Sequence, residues 1–146
     1  MIKQLKPFND LTLQELYAVL QLRMEVFVVE QHCPYLDCDD KDIHAHHLLF
    51  WQDGELVAYC RLLPQGISYE NYCSIGRVVT KPSHRGKGLG IELMRDAIHQ
   101  CKILFNRPIK ISAQSYLEKF YTELGFEVCT EEYLEDDIPH KGMKMD

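Results

Sequence analysis

Hydrophobic positions along this chain fall into short groups whose period switches between helical and strand-like. Leu13, Leu16, Tyr17, Leu20, Met24 and Phe27 recur at helical spacing, which predicts a helix over about 12–24. Thr12 and Glu15 have capping-box spacing, in which the hydroxyl and the carboxylate satisfy amides at a helix start. The run Val26-Phe27-Val28-Val29 is β-prone and either closes that helix or opens an irregular stretch. From Cys33-Pro34-Tyr35 to Asp42, proline and clustered aspartates predict a loop.

Strand-like runs follow at 47–51 and 56–62, with Asp53-Gly54 supplying the positive φ of a tight hairpin turn. A third strand is predicted over 73–80, ending at Lys81-Pro82. A helix over 88–103 places Leu89, Leu93, Met94, Ala97, Ile98 and Cys101 on one face. A strand over 109–113, a helix over 115–124 stopped by Gly125, and strands over 126–129 and 143–145 around an acidic connection complete the pattern. With no repeat, low-complexity tract or linker, the expectation is one mixed α/β domain over residues 1–146.

Composition narrows the class of function. Of the 146 residues, 46% are hydrophobic and 26% charged, as in a soluble globular domain. Lys and Arg total 16 against 22 Asp and Glu, a net charge of −6. That balance argues against nucleic acid or an anionic membrane as a partner, since both require a cationic face. No stretch approaches the ~18 apolar residues of a membrane helix. The start, Met1-Ile2-Lys3-Gln4, lacks a signal-peptide pattern, and the six cysteines are widely spread, so a cytoplasmic protein with reduced thiols is expected.

The densest chemical signal runs from Ile75 to Gly90. A strand, a glycine-rich turn and a helix start form an anion cradle, because residues without side chains let the backbone approach and unpaired amides face the ligand. Arg77, Lys81, Arg85 and Lys87 occur within residues 73–90, which contain no acid, and this local excess points to phosphate. Lys87 is followed by Gly88-Leu89 rather than by Ser or Thr, against a P-loop. Gly86-x-Gly88-x-Gly90 breaks the Rossmann spacing.

Arg85-Gly86-Lys87-Gly88-Leu89-Gly90 resembles the Arg/Gln-x-x-Gly-x-Gly/Ala signature of the GNAT acyltransferases, and Phe120-Tyr121-x-x-Leu124-Gly125-Phe126 resembles their second hallmark. The blocks from Arg23 to Tyr35, Ile75-Gly76-Arg77-Val78, Ala113-Gln114 and Ile138-Pro139-His140-x-Gly142-Met143 are similar to the ElaA-like subgroup. The resemblance implies a GNAT acyl-CoA N-acyltransferase fold, α/β with a mixed, partly splayed central sheet flanked by helices. It also implies transfer of an acetyl group from acetyl-CoA to a primary amine by direct attack. The pyrophosphate would lie on Arg85, Gly86, Lys87, Gly88, Leu89 and Gly90, and the pantetheine arm along the backbone of Val78, Val79 and Thr80. Tyr121 matches the general acid of the family; the strand glutamate that serves histone-type members as base falls at Ser74. Glu25, Glu30 and His140 are then the candidates for base or acceptor-site residues, with water as the remaining carrier of the proton.

No metal is implied. Cys33, Cys38, His44, His46 and His47 offer zinc-compatible ligands, but their spacing matches no familiar finger. The acceptor is an amine on a small molecule or a peptide, its identity open, and dimers are common in the family. An acyl-CoA-binding or sensing module without significant turnover would share the cradle, although Tyr121 favours the enzyme. The acidic runs Asp37–Asp42 and Glu131–Asp137 are expected to be solvated loops; the sharper alternative has them flanking the channel of a cationic amine.

Overall fold

The computed structural model describes residues 1–146. Its first sheet consists of β1 (Ile2–Pro7), β2 (His46–Gln52), β3 (Glu55–Leu63) and β4 (Ser74–Thr80), antiparallel throughout in that order. The β2–β3 hairpin turns at Asp53-Gly54, whose φ values of 52° and 77° suit the right-handed twist of the flanking strands. β1 falls outside the sequence expectation. It is an edge strand with lysines at positions 3 and 6 and little apolar alternation, and pairing to β2, not periodicity, makes it a strand.

Helix α1 (Leu13–Arg23) starts with the expected capping box: Glu15 N–H donates to Thr12 Oγ1 and Thr12 N–H donates to the Glu15 carboxylate. It continues as a π-helical segment, Met24–Glu30, closed by bonds from Gln31 N to Val26 O and from Cys33 N to Val28 O. The face it buries differs from the expected one. Val19, Leu22 and Val26 pack with Leu49, Leu56, Tyr59 and Val79, whereas Leu13, Tyr17 and Met24 are exposed. Apolar side chains occupy nearly every face of α1, so spacing alone selects none of them. Helix α2 (Leu89–Leu104) covers the opposite face of the first sheet and buries the expected residues Leu89, Leu93, Met94, Ala97 and Cys101.

The second sheet contains β5 (Ile109–Gln114), β6 (Glu127–Val128), β7 (Tyr133–Glu135) and the long β8 (Ile138–Met145). The 3-10 turn Ser115–Leu117 leads into the short α3 (Glu118–Glu123), and the chain reverses at Gly125 with φ 106°. The acidic connection is more ordered than expected. Asp136 and Asp137, at φ 51° and 62°, form the turn of a β7–β8 hairpin, which is why β8 begins at Ile138 and not near Met143.

The two sheets meet where β4 and β5 begin, and only there. Cys73 and Ile109 form a parallel bridge, with Cys73 N bonded to Pro108 O at 3.1 Å and Lys110 N to Cys73 O at 3.0 Å. Beyond that bridge the strands carry no mutual ladder, so the expected splay is present and a slot opens between β4 and β5.

In the loop between Cys33 and Asp42, Asp40 is exposed as expected, but the other three aspartates are occupied by arginines. Asp37 and Asp42 are buried, and with Asp39 they pair three arginines from three other elements. Arg23, wholly buried on α1, bonds Asp37 at 2.8 Å and Asp42 at 2.7 Å; Arg61 of β3 bonds Asp39 at 2.6 Å and Asp42 at 2.9 Å. Arg77 of β4 reaches Asp37 at 2.9 Å and Asp39 at 3.4 Å. Burial pushes the carboxyls of Asp39 and Asp42 up, but the hydrogen bonds and charges of the arginines override it and hold both below the usual range.

Candidate active site

A cavity of about 490 Å³ occupies the slot between β4 and β5. Val78, Val79 and Thr80 of β4 form one wall, and Ile111, Ser112 and Gln114 of β5 the other. Phe27, Glu30, Gln31, Cys33 and Tyr35 line it from the end of the π-helical segment, Tyr116, Phe120 and Tyr121 from around α3, and Glu135, Asp136, Ile138 and His140 from the β7–β8 hairpin.

The β4 wall is shaped by a bulge. The register with β3 shifts between Tyr59 and Arg61, and Arg77 adopts φ 49°, a left-handed conformation disfavoured for a residue with a Cβ. Arg77 Nε lies 2.9 Å from Asp37 Oδ1, in an ion pair whose N–H is not aligned as a hydrogen bond, while Nη2 donates to Asp37 O at 3.0 Å. Past the bulge the β4 edge faces the cavity and carries no ladder to β5.

After β4, Gly86 and Gly88 have φ 79° and 76°, and Gly88 is the N-cap of α2. The first helical bond runs from Glu92 N to Gly88 O, so the amides of Leu89, Gly90 and Ile91 begin the helix without intrahelical partners. At Gly90 an added Cβ would meet Phe120 and Thr80 at 3.7 and 3.8 Å, in ordinary van der Waals contact at the wall of the slot. The cationic excess of the turn largely disappears in space. Arg77 pairs the aspartates, Lys81 bonds Glu55 at 2.8 Å, and Arg85 forks onto Glu30 at 2.8 and 2.6 Å. Lys87 alone among the four has no carboxylate partner.

Tyr121 is 6% exposed and lines the cavity, its ring held edge-on between Phe120 and Phe126 at 5.1 and 6.0 Å. Burial pushes its phenol well above the ordinary tyrosine range, so it stays protonated near neutral pH. His140 also lines the cavity: its Nδ1–H donates to Ile138 O at 2.6 Å, and Nε2 lies 3.4 Å from Glu135 Oε2. The ring stacks on Tyr133, whose hydroxyl bonds Ser112 Oγ, which in turn donates to Glu135 Oε1 at 3.2 Å.

The structure therefore brings Glu30, Val78, Val79, Thr80, Arg85, Gly90, Tyr121 and His140 to one cavity. Gly86, Lys87 and Gly88 lie on the exposed turn between Arg85 and α2, and Leu89 is buried in the core beneath it. Glu25 is elsewhere, in a separate cleft with Glu55 and Lys81, and Ser74 is buried at the start of β4. Sequence reasoning passed over Ser112 and the pairing of Gln31 with Gln114, although both glutamines fell in blocks that resemble the subgroup; Glu135 was present only as part of the second acidic run. Two of the five zinc-compatible side chains have other partners. His47 is buried with Nε2–H donating to Asp42 O and Nδ1 accepting from Tyr59, and Cys33 donates to Asp136 O.

Known proteins agree with this arrangement. The family model described as "Acetyltransferase (GNAT) domain" matches residues 9–146. Protein ElaA of Escherichia coli is 43% identical over 138 residues, covering 92% of this chain and 90% of that protein. Its crystal structure superposes with a TM-score of 0.93 over 100% of both chains. An acyl-CoA N-acyltransferase from Pseudomonas aeruginosa is 47% identical, with a TM-score of 0.92, again over 100% of both chains. Two antiparallel sheets that share one bridge and part around a slot, with helices on their faces, are the GNAT acyltransferase fold, and the chain belongs to the GNAT acetyltransferase family.

Proposed function

We propose that this protein is an acetyl-CoA-dependent N-acetyltransferase acting on a primary amine. The observation that carries the reading is the joint placement of a protonated, buried phenol and a β-strand edge on one cavity, reached from a turn of unpaired helix amides. The residues fit the cosubstrate. Amides of residues 89–91 and the positive end of α2 suit a pyrophosphate, aided by Lys87. The bulged edge of β4 at Val78, Val79 and Thr80 offers backbone groups to an extended pantetheine arm, as an added strand would use them.

Bound acetyl-CoA supplies an activated acyl carbonyl and a thiol leaving group. Tyr121 donates its phenolic proton to the departing sulfur; burial keeps that proton on the phenol at neutral pH, so it is available as negative charge builds on the sulfur while the carbon–sulfur bond breaks. Phe120 and Phe126 keep the ring from rotating away. On the far strand wall, Glu135 is steadied by Ser112, and together with Asp136 it gives the acceptor end a negative lining suited to an ammonium group. His140 and Glu30 are the groups placed to receive the amine proton, directly or through water; Glu25, in its own cleft, is not. The acidic residues that face an acceptor are thus Glu135 and Asp136 of the second run, not those of the first.

The test is release of free CoA from acetyl-CoA over a panel of small amines, amino acids, peptide N-termini and lysine side chains, run beside calorimetry with CoA. Amine-dependent release supports the reading. Tight CoA binding with no release for any acceptor class supports a sensing module instead, and no CoA binding overturns both.

A further inference from the structure

Arg85 and Glu30 are 55 positions apart in sequence, yet their side chains form a two-pronged ion pair, Nη1 to Oε2 at 2.8 Å and Nη2 to Oε1 at 2.6 Å. Both residues line the same cavity. Arg85 stands at the head of the glycine turn, next to the unpaired amides of α2, while Glu30 ends the π-helical segment, whose next residues bond to β5 and to the β7–β8 turn. Each residue is therefore a component of a binding site, and each is occupied by the other.

We propose that Glu30 is an acceptor-binding carboxylate held in reserve by Arg85, and that the pyrophosphate of CoA releases it by taking the guanidinium. The proposal rests on the acetyl-CoA reading above. The side chains are 44% and 40% exposed, and an ion pair so placed is weakly held in water. A pyrophosphate seated on neighbouring helix amides gives the same fork more charge and more acceptor oxygens than one carboxylate does. The exchange leaves the backbone of Glu30 in place. Gln31 and Gln114 exchange amide hydrogen bonds at 3.4 and 3.2 Å, and Cys33 donates to Asp136 O at 3.2 Å, so residues 31–33 tie this segment to β5 and to the β7–β8 turn independently of Arg85. The freed carboxylate stays on the cavity wall, where Glu135 and Asp136 add to its charge.

A carboxylate released in this way recognises a cation, so the matching acceptor is a primary ammonium group and not a neutral hydroxyl. The order of binding follows, since before CoA arrives Arg85 neutralises the charge that would hold the amine. Acceptor affinity is created by the cofactor.

Calorimetry with CoA and with pantetheine, which lacks the pyrophosphate, tests the hand-over in wild type, Glu30→Gln, Arg85→Gln and the double variant. Both side chains are exposed, and thermal unfolding confirms that each variant folds. Glu30→Gln should bind CoA up to about fivefold tighter, the equivalent of the ~1 kcal/mol of an exposed pair, and pantetheine unchanged. In the Arg85→Gln background the same substitution should leave CoA affinity unaltered, and in the active enzyme it should raise the KM for an amine about tenfold. The hand-over is overturned if Glu30→Gln binds CoA no more tightly, or if the gain persists without Arg85 or appears with pantetheine. Failure of the wild-type protein to bind CoA overturns instead the acetyl-CoA reading on which the hand-over rests.

Discussion

Arg77 holds its backbone at φ 49° within β4 while its guanidinium rests on Asp37, which in turn accepts a hydrogen bond from the wholly buried Arg23 at 2.8 Å. One carboxylate thus secures the bulge that shapes the cavity and neutralises an arginine buried in α1. The strain at Arg77, of the order of 1–2 kcal/mol for a left-handed residue with a Cβ, is offset only while that anchor persists.

Asp37→Asn keeps the shape of the side chain and removes its charge, leaving Arg23 with Asp42 alone and Arg77 with Asp39 at 3.4 Å. Breaking a buried pair by deleting one partner costs about 3–5 kcal/mol. Urea unfolding should show a loss of that size, with CoA affinity falling as the β4 edge relaxes. A loss under ~1 kcal/mol would mean that the network carries little of the fold's stability.

The same network sets the acid response. Asp39 and Asp42 titrate below their unfolded value of ~3.9 because of their arginine partners. As the pH falls the unfolded chain takes up protons first, so their contribution is complete above that value and is lost as the pH drops through the lower, folded range. Melting temperature should hold between pH 7 and about 5 and fall steeply below about 4, with a shallower fall for Asp39→Asn, which starts from a lower stability. An equally steep fall in that variant would place the acid sensitivity elsewhere.

The elements legible in the sequence are those specified by neighbours in the chain. The capping box at Thr12, the Asp53-Gly54 hairpin, the buried stripe of α2 and the turn from Arg85 to Gly90 each depend on a few adjacent residues, and each is present. What escaped depends on distant partners. β1 is a strand only because β2 accepts it, and Asp37, Asp39 and Asp42 look like a solvated loop until Arg23, Arg61 and Arg77 arrive from α1, β3 and β4. The same blindness affected the cradle. A stretch free of acids in sequence acquires Asp37, Glu55 and Glu30 in space, and the local charge that suggested phosphate survives mainly at Lys87 and the helix amides. His140 was a candidate from its block, but its grouping with Ser112 of β5 and Glu135 of β7 was not visible, because no spacing links them.

Lys87 and Lys81 therefore separate the two ways of counting charge. Lys87→Ala removes the unpaired cation and should weaken CoA binding about three- to tenfold, with a flatter dependence on salt. Lys81→Ala removes a cation already bonded to Glu55, and CoA affinity should change less than twofold. Titrations at two ionic strengths decide the matter; equal losses in both variants would show that the turn acts through its summed charge.

The phenol of Tyr121 is the most exposed part of the proposal to a single substitution. Tyr121→Phe keeps the ring between Phe120 and Phe126, so the melting temperature and CoA affinity should stay close to those of the wild type. What it removes is the proton held by burial beside the slot, and turnover should fall by about 10²–10⁴, the usual contribution of a positioned general acid. The fall should appear in kcat and in kcat/KM alike, because the proton is transferred only as the carbon–sulfur bond breaks. Supplying acetyl groups on a thiol much more acidic than CoA's should narrow the gap between variant and wild type, since such a leaving group departs without protonation. A Tyr121→Phe enzyme that turns over at the wild-type rate would reduce this tyrosine to a packing residue.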